Sequence, residues 1–97
     1  MYVTTQVTDS VTVTGDTVLK AGTVLEKDGT NYKVLETAEN ADAVLMQDTT
    51  PTAEGVVSVA LFGGVVERKD ELLLPTDVTV TQIKDVLRVK GIYIRGA

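Results

Sequence analysis

Carboxylates are the side chains of this sequence that could act in catalysis or hold a cation. The 97 residues include 14 Asp and Glu but neither His nor Cys. The chain therefore lacks the commonest general base, the thiolate nucleophile and the usual ligands of zinc. A carboxylate pair working as general acid and base is the route to catalysis that this composition leaves open, and we expect no enzymatic activity.

Asp48 is the first carboxylate to consider, because it lies in a loop directly after an apolar strand predicted over residues 43–47. It could act as a general acid or base. The favoured interpretation is a turn or cap residue, whose side-chain oxygen accepts hydrogen bonds from the amides that follow it. Asp28 precedes Gly29, and a hairpin turn explains it better than catalysis does.

A run of charged residues over 67–71 holds three further carboxylates, Glu67, Asp70 and Glu71. They could meet around a cation, but the residue spacing of a calcium-binding loop is missing. Arg68 and Lys69 lie among them in the sequence, which favours a solvated connection between two elements. We therefore predict no catalytic residue, no metal site and no bound cofactor.

The net charge of −5 limits the classes of partner. All of it falls on residues 1–50, since residues 51–97 carry equal numbers of cations and carboxylates. Without a basic patch the chain is a poor ligand for nucleic acid or anionic lipid, so we expect no nucleic-acid and no membrane partner. The longest apolar stretch, residues 56–66, is shorter than the roughly 20 residues that cross a bilayer. No secretory signal opens the sequence, so synthesis in a cytoplasm without export is expected.

The elements that position these side chains are predicted to be mostly strands. Val, Thr and Ile make up 35 of the 97 residues, and β-branched side chains pack well on a pleated sheet. A helix is predicted near residues 80–90, since Thr79 and Gln82 fit a capping box and Gly91 fits the end. The apolar face of this helix is formed by Val80, Ile83, Val86 and Leu87. The predicted class is mainly β (α+β): a small β-rich sandwich or barrel-like domain with one C-terminal α-helix and an extended N-terminal arm.

Two glycine-containing segments predict changes of chain direction. Asp28-Gly29 between short β-prone runs predicts a two-residue hairpin turn, in a register that places Leu25 opposite Tyr32. Residues 63–64 are both glycine and follow the strongest strand signal, residues 56–62. They lack the frame of a phosphate-binding loop, so they predict a bulge or a tight bend.

Residues 1–14 alternate between a valine face and a hydroxyl face, and Asp9 interrupts the valines. Burying four valines would stabilise this segment by about 6–8 kcal/mol, whereas ordering its backbone costs on the order of 13–25 kcal/mol. The segment therefore needs ladder hydrogen bonds with a sheet edge, either in its own domain or in a partner chain, and both interpretations stay open. We divide the chain into an extended arm, residues 1–14, and one β-rich domain, residues 15–97.

From about residue 18 onward, the order of several segments is similar to that of the lambda-type bacteriophage head decoration proteins. The segments are residues 21–25 (AGTVL) before a short hairpin, 41–48 (ADAVLMQD), 55–66 (GVVSVALFGGVV), 71–75 (ELLLP), a helix, and 90–95 (KGIYIR). Residues 1–14 alternate Val and Thr and so differ from the Ala-, Gly- and Pro-rich arm of that family.

This resemblance implies a structural virion protein on the outer capsid surface, made in the cytoplasm of a bacterial host. It implies a homotrimer at threefold positions of the head, which binds the major capsid protein and stabilises the capsid. The arm of that family helps to clamp capsid subunits, so the predicted capsid-binding residues are Tyr2, Val3, Val7, Val11 and Val13. Two alternatives stay open: the base of a phage head fibre, and a surface adhesion or carbohydrate-binding β module.

Overall fold

The computed structural model of this chain describes residues 1–96, and most of its regular structure is β-strand. The elements are β1 (Val3–Val13), β2 (Val24–Asp28), β3 (Asn31–Val34), a 3₁₀ turn (Ala38–Asn40), β4 (Ala41–Leu45), β5 (Val56–Val66), a second 3₁₀ turn (Lys69–Glu71), α1 (Val80–Val89) and β6 (Ile92–Ile94). The prediction of a mainly β domain with one C-terminal helix is confirmed.

Five of the strands close into a barrel. Their order is β1-β3-β2-β4-β5, and β5 pairs in turn with β1. The β1–β5 seam is antiparallel and joins nine residue pairs, from Val3 with Val66 to Val13 with Val56. The β1–β3 seam is a single parallel pair, Val13 with Tyr32. β6 lies outside the ring and pairs in parallel with β5. The barrel therefore has one long seam and one very short seam.

The interior of the barrel is one of two apolar cores. A closed sheet directs alternate side chains of every strand inward, where they must pack against one another. The members of this cluster come from all five strands and from one loop residue: Val11, Val13, Leu19, Leu25, Ala43, Leu45 and Ala60, with Tyr32 and Phe62 packed against them. Two members of the cluster, Ala43 and Ala60, are small. Small side chains fit the narrow interior that a barrel of five strands encloses.

The second core lies between the outer face of the sheet and the helix. Leu61 and Ile92 from the strands and Ile83 and Leu87 from α1 are fully buried in it. The predicted capping box at Thr79 is present. The Thr79 hydroxyl accepts a hydrogen bond from the amide of Gln82, and the side chain of Gln82 accepts one from the amide of Thr79. The helix is therefore where the sequence placed it, and its apolar face covers the sheet.

The turn between β2 and β3 differs from the expected one. Leu25 pairs with Val34 rather than with Tyr32, so the predicted register is wrong. The two turn residues are Gly29 and Thr30, one position further along the chain than expected. In this turn only Gly29 takes a positive φ, +64°. The type of turn that needs positive φ at both central residues is therefore not formed.

Residues 1–14 are extended, as predicted. Of the two pairings that the sequence left open for them, the structure shows the pairing with the chain's own sheet, through β1 and β5. The physical reason is that β5 is as long as β1, so it offers backbone partners along the whole segment.

Candidate functional site

The five residues predicted to bind a capsid lie at different depths in and before β1. Val11 and Val13 are 7% and 0% exposed inside the barrel, so in this arrangement their side chains are not open to a partner. Val3 is half-buried against the outer core. Tyr2 and Val7 are 65% and 59% exposed. Of the predicted set, Tyr2 and Val7 are thus the side chains that another protein could contact.

One edge of β1 is open over most of its length. Within residues 1–96, β1 is paired along one side with β5, and along the other side with β3 at Val13 alone. The amide of Met46 donates to the carbonyl of Val59 at 2.9 Å, so the backbone groups of Val59 point toward β4. Those of Ser10, the β1 partner of Val59, therefore point away from β5. Thr8 lies two residues before Ser10 on β1, so its backbone groups point in the same direction as those of Ser10.

Asp9 covers part of this open edge. Its Oδ1 accepts a hydrogen bond from the amide of Ser10 at 2.8 Å. A charged side chain at an exposed strand edge is one means by which proteins prevent uncontrolled strand pairing. The amide of Thr8, two residues before Ser10, faces solvent at the same edge. The edge is therefore partly protected and partly open to an added strand.

The N-terminal half of β1 is separated from the rest by two opposed irregularities in the β1–β5 ladder. β1 carries one extra residue between Thr4 and Val7, and β5 carries one extra residue, Phe62, just beyond. Thr5, in the first of these, takes φ of +56°. A Cβ on Gly64 of β5 would lie 2.9 Å from the carbonyl oxygens of Thr4 and Thr5, so glycine is required beneath the bulge. The irregularity predicted at residues 63–64 therefore lies one residue earlier on β5, at Phe62, and the bulge opposite Gly64 belongs to β1.

Two carboxylates that follow β5 hold the start of the chain on the sheet. Glu71 Oε1 accepts the Tyr2 amide at 3.0 Å. Glu67 accepts a hydrogen bond from the hydroxyl of Thr4 and one from Nε of Arg95 at 2.7 Å. The hydrogen bond from Thr4, and then those of Arg95, lower the pKa of Glu67. This carboxylate therefore acts as an anionic anchor for β1.

A cleft of about 420 Å³ lies where β1 and β3 diverge from their single shared pair. The rings of Tyr32 and Phe62 meet edge to face in it, with centroids 5.8 Å apart and planes at 75°. The lining residues are Asp9, Ser10, Val11, Thr12, Thr30, Tyr32, Val57 and Phe62. The lining thus includes one acidic residue, four residues that carry a hydroxyl group, and apolar residues, and the open edge of β1 forms one rim of the cleft.

Tyr32 lies between the cleft and an ion pair at the end of the helix. Burial, and then the negative charge of Asp42, raise the pKa of its phenol. Lys90 forms an ion pair with Asp42 and partly offsets this effect. The carboxylate of Asp9 acts in the same direction as Asp42, so its field reaches the phenol. Tyr32 therefore stays a neutral hydroxyl at physiological pH.

The carboxylates considered for catalysis have structural contacts. Asp48 Oδ1 accepts the amide of Ala21 at 2.9 Å, and this bond lowers the pKa of Asp48. The amide lies 27 positions away in the sequence, so Asp48 joins two distant segments, whereas the sequence predicted bonds to the amides that follow it. Asp70 lies 3.5 Å from Arg68 in an exposed ion pair. Among residues 1–96, no group of three or more potential ligands is placed to hold a metal ion.

The sequence did not predict the cleft or the residues around it. The strand signal over residues 56–62 includes Phe62 but does not indicate that its ring faces a cleft. One signal was present: Asp9 occupies a position that the valine alternation assigns to the barrel interior. A carboxylate at an inward position marks the point where the interior opens to solvent.

Comparison of the sequence with family models, and with curated proteins, returned no match. None of the helices within residues 1–96 has both the length and the apolar character needed to cross a membrane.

Proposed function

We propose that this protein is a structural component of a bacteriophage virion, which binds the outer surface of the assembled head and stabilises the capsid without catalysis. It acts as a homotrimer at threefold positions, and its partner is the major capsid protein. The order of segments from residue 18 onward, which is similar to that of head decoration proteins, supports both statements.

The observation that carries the proposal is the open edge of β1. Backbone groups near Thr8 face away from β5 and have no neighbouring strand within residues 1–96. An extended segment of a partner can add to such an edge as a further strand, and main-chain hydrogen bonds then supply affinity. Each added bond contributes about 0.5–1.5 kcal/mol net. A trimer presents the edge three times, so weak single contacts combine into firm attachment.

Side-chain exposure supports the same surface. All residues from 4 to 10 are exposed, and Val7 and Tyr2 add apolar area beside the open backbone. Apolar and aromatic side chains at the centre of a contact, with polar groups around them, are typical of protein–protein interfaces. The predicted capsid-binding role of Tyr2 and Val7 is thereby retained in the proposal, and that of Val3, Val11 and Val13 becomes the support of the strand.

The test is co-sedimentation of the protein with purified phage heads that lack it, using a pair of variants at one position. Thr8→Pro removes an amide that points to the open edge and leaves the ladder with β5 intact. Thr8→Ala changes the same side chain and keeps the amide. We expect Thr8→Pro to weaken head binding about tenfold or more, and Thr8→Ala to bind as the unmodified protein does.

Hydrogen exchange supplies a measurement that needs no variant. The Thr8 amide should exchange fast in the free protein and slowly on heads, whereas the Val11 amide, which faces β5, should be slow in both. Equal binding by Thr8→Pro together with an unprotected Thr8 amide would remove the β1 edge from the contact. Failure of the unmodified protein to bind heads would overturn the function itself.

A further inference from the structure

The cleft between β1 and β3 is lined by groups that accept hydrogen bonds and carry no positive charge. Its polar lining residues are Asp9, Ser10, Thr12, Thr30 and Tyr32, and the hydroxyl of Tyr32 is hydrogen-bonded to Asp42. A hydroxyl can donate or accept, but an ionised carboxylate accepts only. Within residues 1–96 the carboxylate accepts one hydrogen bond, from the Ser10 amide to Oδ1. Its other oxygen therefore keeps its capacity to accept hydrogen bonds, on a residue that lines the cleft.

The aromatic and charge environments both favour a cationic ligand. The rings of Tyr32 and Phe62 provide π-surface in the same cleft as the carboxylate. A planar guanidinium stacks on such rings, donates through five N–H groups and has no acceptor that would repel the carboxylate. The half of the chain that supplies residues 9–32 of the lining also carries the whole net charge of −5. An anionic ligand would be repelled here.

We propose that this cleft binds an arginine side chain of a protein partner. The open edge of β1 is a rim of the cleft, so a strand added at the free Thr8 amide would run beside the cleft and could place one side chain in it. The volume of about 420 Å³ exceeds that of one side chain and leaves room for the residues that flank the arginine. If the partner is the capsid of the proposed function, the arginine belongs to a capsid subunit.

The first experiment titrates the full-length, isotope-labelled protein with two probes of the same shape. N-acetyl-arginine methylamide carries the guanidinium, and N-acetyl-citrulline methylamide replaces it with a neutral urea group. We expect the arginine probe to shift the NMR signals of Asp9, Ser10, Thr30 and Tyr32, with a dissociation constant on the order of 1–10 mM. The citrulline probe should bind at least about tenfold more weakly, because its interaction with the carboxylate lacks the charge.

A pair of variants then tests the role of the carboxylate. Asp9→Asn keeps an oxygen that can accept the Ser10 amide but removes the charge, and it should weaken binding of the arginine probe about tenfold. Asp16→Asn removes an exposed carboxylate from the same half of the chain and lies outside the cleft. It should leave the binding unchanged, which separates a local contact from the effect of net charge.

Three outcomes would overturn the inference. They are equal binding of the two probes, an unchanged affinity of Asp9→Asn, and shifts of the cleft signals by glucose or N-acetylglucosamine in place of arginine, which would indicate a carbohydrate site. Because the titration uses the protein alone, its failure would leave head binding through the β1 edge untouched. Failure of head binding would likewise leave a positive titration standing.

Discussion

The hydroxyl of Thr4 donates a hydrogen bond to the carboxylate of Glu67, across the seam between β1 and the end of β5. Glu67 also accepts a bond from Arg95, which follows β6. One carboxylate thus connects the first, fifth and sixth strands at their exposed ends. Together with the pairs Val3–Val66 and Thr4–Val65 and the bond from the Tyr2 amide to Glu71, this connection holds the N-terminal half of β1 on the sheet.

Glu67→Gln should reduce stability in a pH-dependent manner. The bonds from Thr4 and Arg95 hold the pKa of Glu67 in the folded protein below its ordinary value of 4.5. Its contribution to stability is therefore fully present above about pH 4.5 and is lost as the pH falls through the lower folded value. In thermal unfolding between pH 7 and pH 3, the unfolding temperature of Glu67→Gln should lie below that of the unmodified protein, and this gap between the two temperatures should disappear below about pH 4.5. Glu54→Gln, an exposed carboxylate in the loop before β5, should show no such gap; a gap for Glu67→Gln that persists at pH 3 would contradict the anchor role.

Thr5→Asn should stabilise the protein although it replaces a strand former. Thr5 is β-branched and takes φ of +56°, a conformation that costs an ordinary residue about 1–2 kcal/mol. Asparagine tolerates this region better, so we expect a gain of about 0.5–1 kcal/mol in the free energy of unfolding. Thr8→Asn, on the same strand but without a positive φ, should give no gain. Urea denaturation measures both, and equal losses for the two variants would contradict the assigned strain.

Gly22→Ala should be among the most damaging small substitutions in the chain. Gly22 has φ of +99°, and a Cβ there would lie 2.1 Å from the backbone oxygen of Glu71. The combined strain and clash should cost about 3 kcal/mol or more. Gly29→Ala is the matched control, because its φ is +64° and nothing lies within 4 Å of the added methyl. It should cost about 1–2 kcal/mol, and similar denaturation midpoints for the two would refute the close approach at Gly22.

Val13→Ala tests whether β1 is a strand of the domain or a detachable arm. Val13 is fully buried in the barrel interior, so its truncation should cost about 2–3 kcal/mol. Val7→Ala removes the same atoms from an exposed site and should cost less than about 0.5 kcal/mol. Calorimetry or urea denaturation compares them. If Val13→Ala unfolded at the same midpoint as Val7→Ala, residues 1–14 would not be part of the cooperative unit.

The sequence predicted those features that depend on neighbouring residues. The capping box of Thr79 and Gln82 and the helix end at Gly91 are signals within a few positions, and they lie as expected. The alternation of residues 1–14 likewise predicted an extended segment. The long β1–β5 seam of the barrel pairs residues 43 or more positions apart, such as Val13 with Val56, and no local pattern carries that information.

The features that the sequence did not predict are those in which tertiary structure overrides a local preference. A β-branched residue with positive φ, Thr5, contradicts its own propensity and persists because the paired strands on either side fix it. The turn at Gly29 is shifted because cross-strand pairing of β2 decides its position. The cleft draws on residues 9–12, 30–32 and 57–62, which only the closed sheet brings together. Asp9 alone indicated where the barrel interior opens, and no pattern in the sequence indicated the other residues that line the cleft.

The most direct test of the account is an electron cryo-microscopy map of phage heads saturated with this protein. We predict three copies at each threefold position, with β1 outermost in the contact and an extended capsid segment paired to it near Thr8. A map that shows attachment through another face, with the β1 edge open to solvent, would contradict the central claim.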